Sequence, residues 1–226
     1  MDSTNQQPGN SLINLEEMPH THGAIHHHQR GSDSGPVLDG HFTYQSYQHG
    51  LSVHSSNAVE MQSLSSTSEL TPGISFNIIF EGQVDFTLGG KPYCLGETLA
   101  KGPECTAFII SRPEIISRHM RLGSLVRKTN IFVEKQWLTS RCQTQTDQRQ
   151  LDLLFQHHGT VHHWQASQTL CQSTQAIAST SQNQPHGLFQ HLQHEALAVQ
   201  LLENCLTELH AQLISQPQSI KQQNLK

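Results

Sequence analysis

Between His41 and Val133 the chain alternates apolar and polar residues in short runs, the period of strands with one buried face. "HFTYQSY" and "GLSVHSS" predict two strands with "QHG" as the turn between them. "SFNIIFEG" is more continuously apolar and predicts a strand covered on both sides or central in a sheet. "QVDFTL" and "KPYCL" flank "GG", which supplies the positive φ of a tight hairpin turn. "TAFIIS", "EIISRHM" and "LVRKTNIFV" complete the set. Short strands with Gly or Pro punctuation every 8–12 residues or so predict a sandwich or a barrel.

After Val133 the pattern becomes helical. "EKQWLTSR" starts a helix, and "DQRQLDLLFQHH" puts Leu151, Leu154 and Phe155 on one face with Asp147 as its expected N-cap. "SQTLCQSTQAIAS" predicts a third helix capped by Ser167, and "SQNQP" a linker. The clearest helix runs from about Gly187 to Ile214. Leu192, Val199, Leu206 and Leu213 recur at heptad spacing, with Leu188, Leu202 and Leu209 in the companion register, an apolar seam that calls for a partner helix in this chain or another. Packing of this helix on its own barrel alone is the competing reading.

The resulting fold class is α+β, a barrel followed by a small helical region. The expected divisions are a flexible His-rich arm over 1–38, the barrel over 39–136, the helical region over 137–214 and a polar linker tail over 215–226.

Composition narrows the partners. Only 14% of the 226 residues are charged and the formal net charge is −5, so non-specific binding to DNA by this chain is not expected. The 13 Lys and Arg are thinly spread, with one modest group at Arg118, Arg121, Arg127 and Lys128. No apolar run approaches the roughly 18 residues of a membrane span, and "MDSTNQQPGN" lacks the order of a signal peptide. The expectation is a soluble cytoplasmic protein with no membrane partner. Five cysteines at wide spacing, with no CxxC, agree with a reducing compartment.

Catalytic chemistry finds no support. There is no G-x-S-x-G, no phosphate-binding glycine loop, and no cysteine with an evident His partner, so no enzyme activity and no cofactor are expected. Metal-binding cupin barrels often carry G-x5-H-x-H-x3,4-E-x6-G on the hairpin strands. Here Gly82 and Gly96 are present but no His lies between them, so no metal ligand set is assigned. The His-rich arm, with His20, His22, His26, His27 and His28, still offers imidazoles to zinc, copper or nickel. A stand-alone cupin that binds a transition metal through its histidines is therefore the alternative reading. The dense group His157, His158, His162 and His163 reads as a polar loop between helices.

Four stretches in order resemble the sensor half of AraC-type bacterial transcription regulators, in the branch typified by the pyochelin regulator. They are "GLSVHSSNAVEM", "LTPGISFNIIFEGQVDFTLGGKPYCLG", "RLGSLVRKTNIFVEKQWL" and "HLQHEALAVQLLENCLTEL", and the match runs from about residue 41 to 214. The resemblance implies a cupin-like barrel that binds a small-molecule effector, often a ferric siderophore in that family. It also implies helices that make a homodimer, and a helix-turn-helix region that reads DNA. Nothing after Leu213 resembles a recognition helix, so DNA contact is expected only through a module not present here. An excised sensor part and a natural stand-alone sensor both remain open. The polar strand residues Tyr44, His54, Asn77, Arg118 and His119 are the candidate ligand contacts, Arg118 as partner to an anionic or ferric-chelate ligand. Leu192, Val199, Leu202, Leu206 and Leu209 are the candidate dimer interface.

Overall fold

A computed structural model describes residues 11–14, 27–29, 35–48, 50–181 and 187–215. Twelve strands among these make two antiparallel sheets. In chain order they are β1 (Ser11–Ile13), β2 (His27–Gln29), β3 (Leu38–Tyr47), β4 (Leu51–Glu60), β5 (Leu64–Leu70) and β6 (Gly73–Glu81), then β7 (Val84–Leu88), β8 (Lys91–Leu95), β9 (Glu104–Ile110), β10 (Glu114–Met120), β11 (Leu125–Glu134) and β12 (Thr160–Gln165). The larger sheet has the order β1-β3-β4-β11-β6-β9-β12, and the smaller one β2-β5-β10-β7-β8. Four helices follow or interrupt the last strands: α1 (Lys135–Thr139), α2 (Gln145–Leu154), α3 (Gln168–Ser181) and α4 (Leu188–Ser215). The architecture is α+β, two antiparallel sheets with helices on the outer face of the larger one. No helix among the described residues is long and apolar enough to cross a membrane.

The larger sheet carries two cores, one on each face. Leu51, Val53, Ile74, Phe76, Ile78, Cys105, Ala107, Ile109, Ile131, Val133 and Trp164 pack with helical residues that include Trp137, Leu170, Ile177, Leu201 and Leu209. Between the sheets lie two separate apolar clusters. One is built on Ile79, Val84, Phe86, Leu95, Phe108 and Ile110, the other on Val37, Leu38, Ala58 and Leu64. The continuous apolar run of "SFNIIF" is thus explained, because β6 is covered on both sides.

Several elements depart from the sequence expectation for local reasons. β5, "LSSTSEL", is mostly Ser and Thr and gives no apolar alternation, yet it pairs with β10 along its whole length. "TVHHWQ", read as a loop within the helical region, is β12, paired with β9 from Thr160↔Ile109 to Gln165↔Glu104. Two segments inside the expected arm are edge strands, β1 on β3 and β2 on β5. The N-cap of α2 is Thr144 rather than Asp147. Thr144 Oγ1 accepts from the Asp147 N–H at 3.1 Å, and Asp147 Oδ2 accepts from the Thr144 N–H at 2.8 Å, a reciprocal capping box with Asp147 at its third position. Ser167 caps α3 as expected, its Oγ accepting from the Leu170 N–H at 3.1 Å.

The connection from β8 to β9 is held by a buried carboxylate. Glu104 on β9 accepts from the Gly96 N–H at 2.9 Å, from the Thr98 N–H at 3.2 Å and from the Thr98 hydroxyl at 2.7 Å. Burial works to raise its pKa, but these donors outweigh burial and hold the carboxyl below its usual range. Gly82 has φ +79°, and a Cβ there would lie 1.9 Å from the Leu125 carbonyl oxygen. Gly90, at φ +77°, would meet nothing within 4 Å. Gly82→Ala is therefore expected to lose about 3 kcal/mol or more of stability. Gly90→Ala should lose only the roughly 1–2 kcal/mol of the left-handed backbone. Urea unfolding of the two variants checks this, and equal losses would contradict the close approach at Gly82.

Candidate functional site

The pleat of the larger sheet aligns six polar side chains in one row across adjacent strands. Tyr44 on β3 lies opposite His54 on β4, His54 opposite Asn130 on β11, and Asn130 opposite Asn77 on β6. Asn77 in turn lies opposite Thr106 on β9, and Thr106 opposite His163 on β12. The neighbouring row, Val53, Ile131, Phe76 and Ala107, packs against the helices. Alternation therefore turns the polar row inward, toward the smaller sheet. Asn130 Nδ2 donates to Asn77 Oδ1 at 3.1 Å and to Ser75 Oγ at 2.9 Å, and the Thr106 hydroxyl meets His163 Nδ1 at 3.0 Å. The Phe42 ring stacks on His54 with centroids 5.6 Å apart. Asn77 and Thr106 are buried, whereas Tyr44, His54 and Asn130 keep partial access.

A charged cluster faces the same interior. Arg118, projecting from β10 of the smaller sheet, holds Glu60 Oε1 at 2.5 Å and donates to the carbonyls of Asp85, at 3.3 Å, and His119. The other Glu60 oxygen accepts from the Arg121 N–H at 2.6 Å. Lys128 stands on β11 one inward position from Asn130, opposite Ser56 and Ile79. No hydrogen bond or ion pair among the described residues reaches its amine, and it retains partial access. Burial, and then the Arg118 guanidinium, pull its pKa down to about 7, while Glu60 works the other way. Burial likewise lowers the Arg118 pKa against the pull of Glu60. The interior thus presents two cationic side chains to one carboxylate, between two apolar ends.

Of the residues singled out from the sequence, Tyr44, His54 and Asn77 fall in the one row and Arg118 faces the same interior from the other sheet. His119 does not join them. As the next residue on β10 it points to the outer face, where Nδ1 meets Ser65 Oγ at 2.9 Å beside the Thr67–Ser117 hydroxyl pair. Asn130, Lys128, Glu60 and His163 were missed. The first two were legible in principle, since Val126, Lys128, Asn130 and Phe132 are alternate residues of one strand and Val126 and Phe132 are buried.

Among the leucine seam, Leu202 and Leu209 are buried within their own chain, together with His194, Ala198, Leu201 and Cys205. Leu206 is partly buried. Leu192 and Val199 are exposed, at 53% and 40%, with Leu188, Phe189 and Leu213 exposed on the same helix. Two contacts tie α4 to the barrel: the Trp164 indole N–H donates to Glu208 at 2.6 Å, and the Tyr47 hydroxyl meets His194 Nδ1 with their rings stacked. Outside the barrel, a groove of about 150 Å³ between the larger sheet and α3 is lined by His41, Thr43, Asn57, Arg127 and Thr174, with Ser56 and Lys128 of the sheet also at its floor.

The histidines are dispersed. His158 Nδ1 accepts from the Ser111 N–H at 3.2 Å, which leaves Nε2–H to face Glu114 at 3.0 Å. His162 points to the helix side, and burial lowers its pKa. His20, His22 and His26 lie outside the described residues, and His27 and His28 belong to β2. Among the described residues no three of His, Cys, Asp and Glu converge as a metal site.

Residues 39–222 match the family model described as "Regulatory protein PchR N-terminal domain". Among solved structures the chain is similar to the AraC-like transcriptional activator CuxR, at 9% identity and a TM-score of 0.44, over 81% of this chain and 60% of that one. The chain thus spans 60% of the length of that activator. It is also similar to the cupin domain of Schizosaccharomyces pombe Cnp3, at 9% identity and a TM-score of 0.31, over 48% of this chain and 68% of that one. Comparison with curated proteins finds no match.

Lys128 has a measurable thermodynamic signature. Its amine has an ordinary value of 10.5, against about 7 in the folded barrel. Between those pH values the unfolded chain holds one more proton, so stability should rise with pH from about 7 toward 10.5. Lys128→Met is expected to raise the unfolding free energy at pH 7 by about 1–3 kcal/mol. The gain should shrink at pH 9. Urea unfolding of both proteins at both pH values checks this, and a gain that does not change with pH would contradict it.

Proposed function

The chain belongs to the family of the PchR regulatory protein's N-terminal domain, and from that premise we propose that it is the effector-sensing and dimerisation part of an AraC-type transcription regulator. The effector is a small molecule held inside the barrel, with a ferric siderophore as the favoured class. The role is regulatory rather than catalytic, and it is exercised in the cytoplasm. DNA contact belongs to a separate helix-turn-helix module.

The observation that carries this reading is the inward polar row from Tyr44 to His163, set between two apolar clusters. Small barrels hold ligands in this way, with a few convergent polar groups in an otherwise apolar enclosure. The reading also has a route out of the barrel. His163 ends the row, and the next residue, Trp164, is bonded to Glu208 on α4. A ligand that binds one arrangement of the row better than another shifts the population of α4 arrangements by that difference in affinity. The exposed Leu192 and Val199, flanked by Leu188 and Leu213, give α4 an apolar face for a second copy.

Trp164 makes the binding step observable. Titration with ferric siderophores, their metal-free forms, and zinc and nickel salts should give saturable Trp quenching by one ferric chelate alone. Asn77→Leu should weaken that response about tenfold, the equivalent of one lost hydrogen bond. A response to free zinc or nickel only would favour the metal-binding cupin instead, and silence throughout would overturn chelate sensing.

The dimer is tested separately. Leu192→Glu and Val199→Glu should each yield a folded monomer in sedimentation at micromolar concentration, with an unchanged circular dichroism spectrum. Leu202→Glu should instead disrupt the fold, since that side chain is only 2% exposed in its own chain. A dimer that persists in both surface variants would sink the interface.

A further inference from the structure

The interior charges point to the chemistry of the ligand. Arg118 already has Glu60, and Glu60 is shared with the Arg121 N–H. Lys128, beside this pair on the inward side of β11, has no hydrogen-bond or ion-pair partner among the described residues and is only partly buried. A cation in that position has lost part of its water and shares Glu60 with Arg118 instead of having a counter-ion of its own, and the shortfall is met when an anion enters.

We propose that the barrel takes an organic anion, with a carboxylate of the ligand engaged by Lys128 and backed by Arg118. This rests on the barrel being the effector site and names the charge of what enters it. A free carboxylate and a negatively charged metal chelate share this chemistry. The charged and titratable groups around Lys128 are Glu60 and His54 on β4, Arg118 on β10 and Tyr44 on β3, with Glu104 on β9 and His163 on β12 further along the sheet. An unliganded amine with a pKa of about 7 gains a proton as the anion binds. Affinity for the anion therefore falls as pH rises above 7, by roughly tenfold per unit while the free amine is neutral and the bound one charged.

Benzoate and benzamide test this, because they share a shape and differ in charge, and the stacked Phe42 and His54 offer a flat wall to either ring. Ligand-observed NMR titration of the full chain should give benzoate at least about tenfold the affinity of benzamide at pH 7, the equivalent of one charge-assisted contact. That preference should decline toward pH 9, while benzamide binding stays flat. Lys128→Gln should remove the preference. Lys128→Arg should keep it and lose the pH dependence, since guanidinium does not titrate there. Equal binding of both probes, lost in Asn77→Leu, would overturn the anion assignment and leave the barrel as the site. A preference that survives Lys128→Gln would also overturn it. Binding of neither probe at about 10 mM, a concentration at which ligands of this size register in a formed pocket, would overturn the anion site, and the barrel reading falls with it where no ferric chelate binds either. If a ferric chelate still binds after benzoate has failed, only the anion assignment falls.

Discussion

The larger sheet is covered on both faces, and that double burial governs what each of its strands must do. Successive side chains on a strand go to opposite sides. Val53, Ile131, Phe76 and Ala107 form an apolar row under the helices, and the residues next to them, His54, Asn130, Asn77 and Thr106, form the polar row inside. A slip of one residue in β6 would put the Asn77 amide against the helices and the Phe76 ring into the polar row, and a slip in the neighbouring strands would exchange their polar and apolar residues likewise. Register is therefore specified by both cores at once. The same alternation links the barrel's contents to its exterior, because His163 and Trp164 are consecutive residues of one strand, one on each face.

The sheet also explains what could be read from the chain alone. Strands with one apolar face announced themselves, as did β6, whose two apolar faces gave a continuous run. β5 did not, because between its apolar ends, Leu64 and Leu70, its inward residues are Ser66 and Ser68 and its outward ones Ser65 and Thr67. Hydrogen bonds on the outside and a polar interior leave such a strand without a hydrophobic signal. β12 was hidden for a related reason. Its inward His163 and outward His162 look like loop residues until β9 is known to lie beside them. Helix α4 carried two signals superposed. The heptad leucines mark one stripe, and His194, Ala198, Leu201, Cys205 and Leu209 mark another that packs on the protein's own sheet. Leu202 and Leu209 were grouped with the first stripe because sequence spacing alone does not say which of two adjacent stripes meets the domain.

The candidate site was half legible for the same reason. Alternation selects one face of a strand but not its direction, so Tyr44, His54 and Asn77 could be named while His119 was taken with Arg118, its neighbour on the opposite face. Lys128 was seen only as one of a small basic group. In the fold, Arg121 and Arg127 go to Asp85 and Glu81 outside the barrel, whereas Arg118 and Lys128 go inside. Four basic residues that look equivalent in sequence are divided by the fold into two outward ion pairs and two partly buried, inward cations.

That division sets the energetics of the interior. Glu60 and Arg118 together are close to neutral, so the barrel could be closed around them without further charge. Lys128 prevents this. Its amine must either give up its proton, which burial and Arg118 already favour, or find an anion. An apolar residue at that position would pack between Ile79 and Val126 at no such cost. A lysine there makes the barrel less stable at neutral pH than it need be, and either a rise in pH or, in the anion-binding role proposed for it, a ligand of opposite charge relieves that cost. The strand that carries it, β11, pairs with β4 on one side and β6 on the other and leads directly into α1, so the relief is felt in the middle of the sheet on which the helices rest.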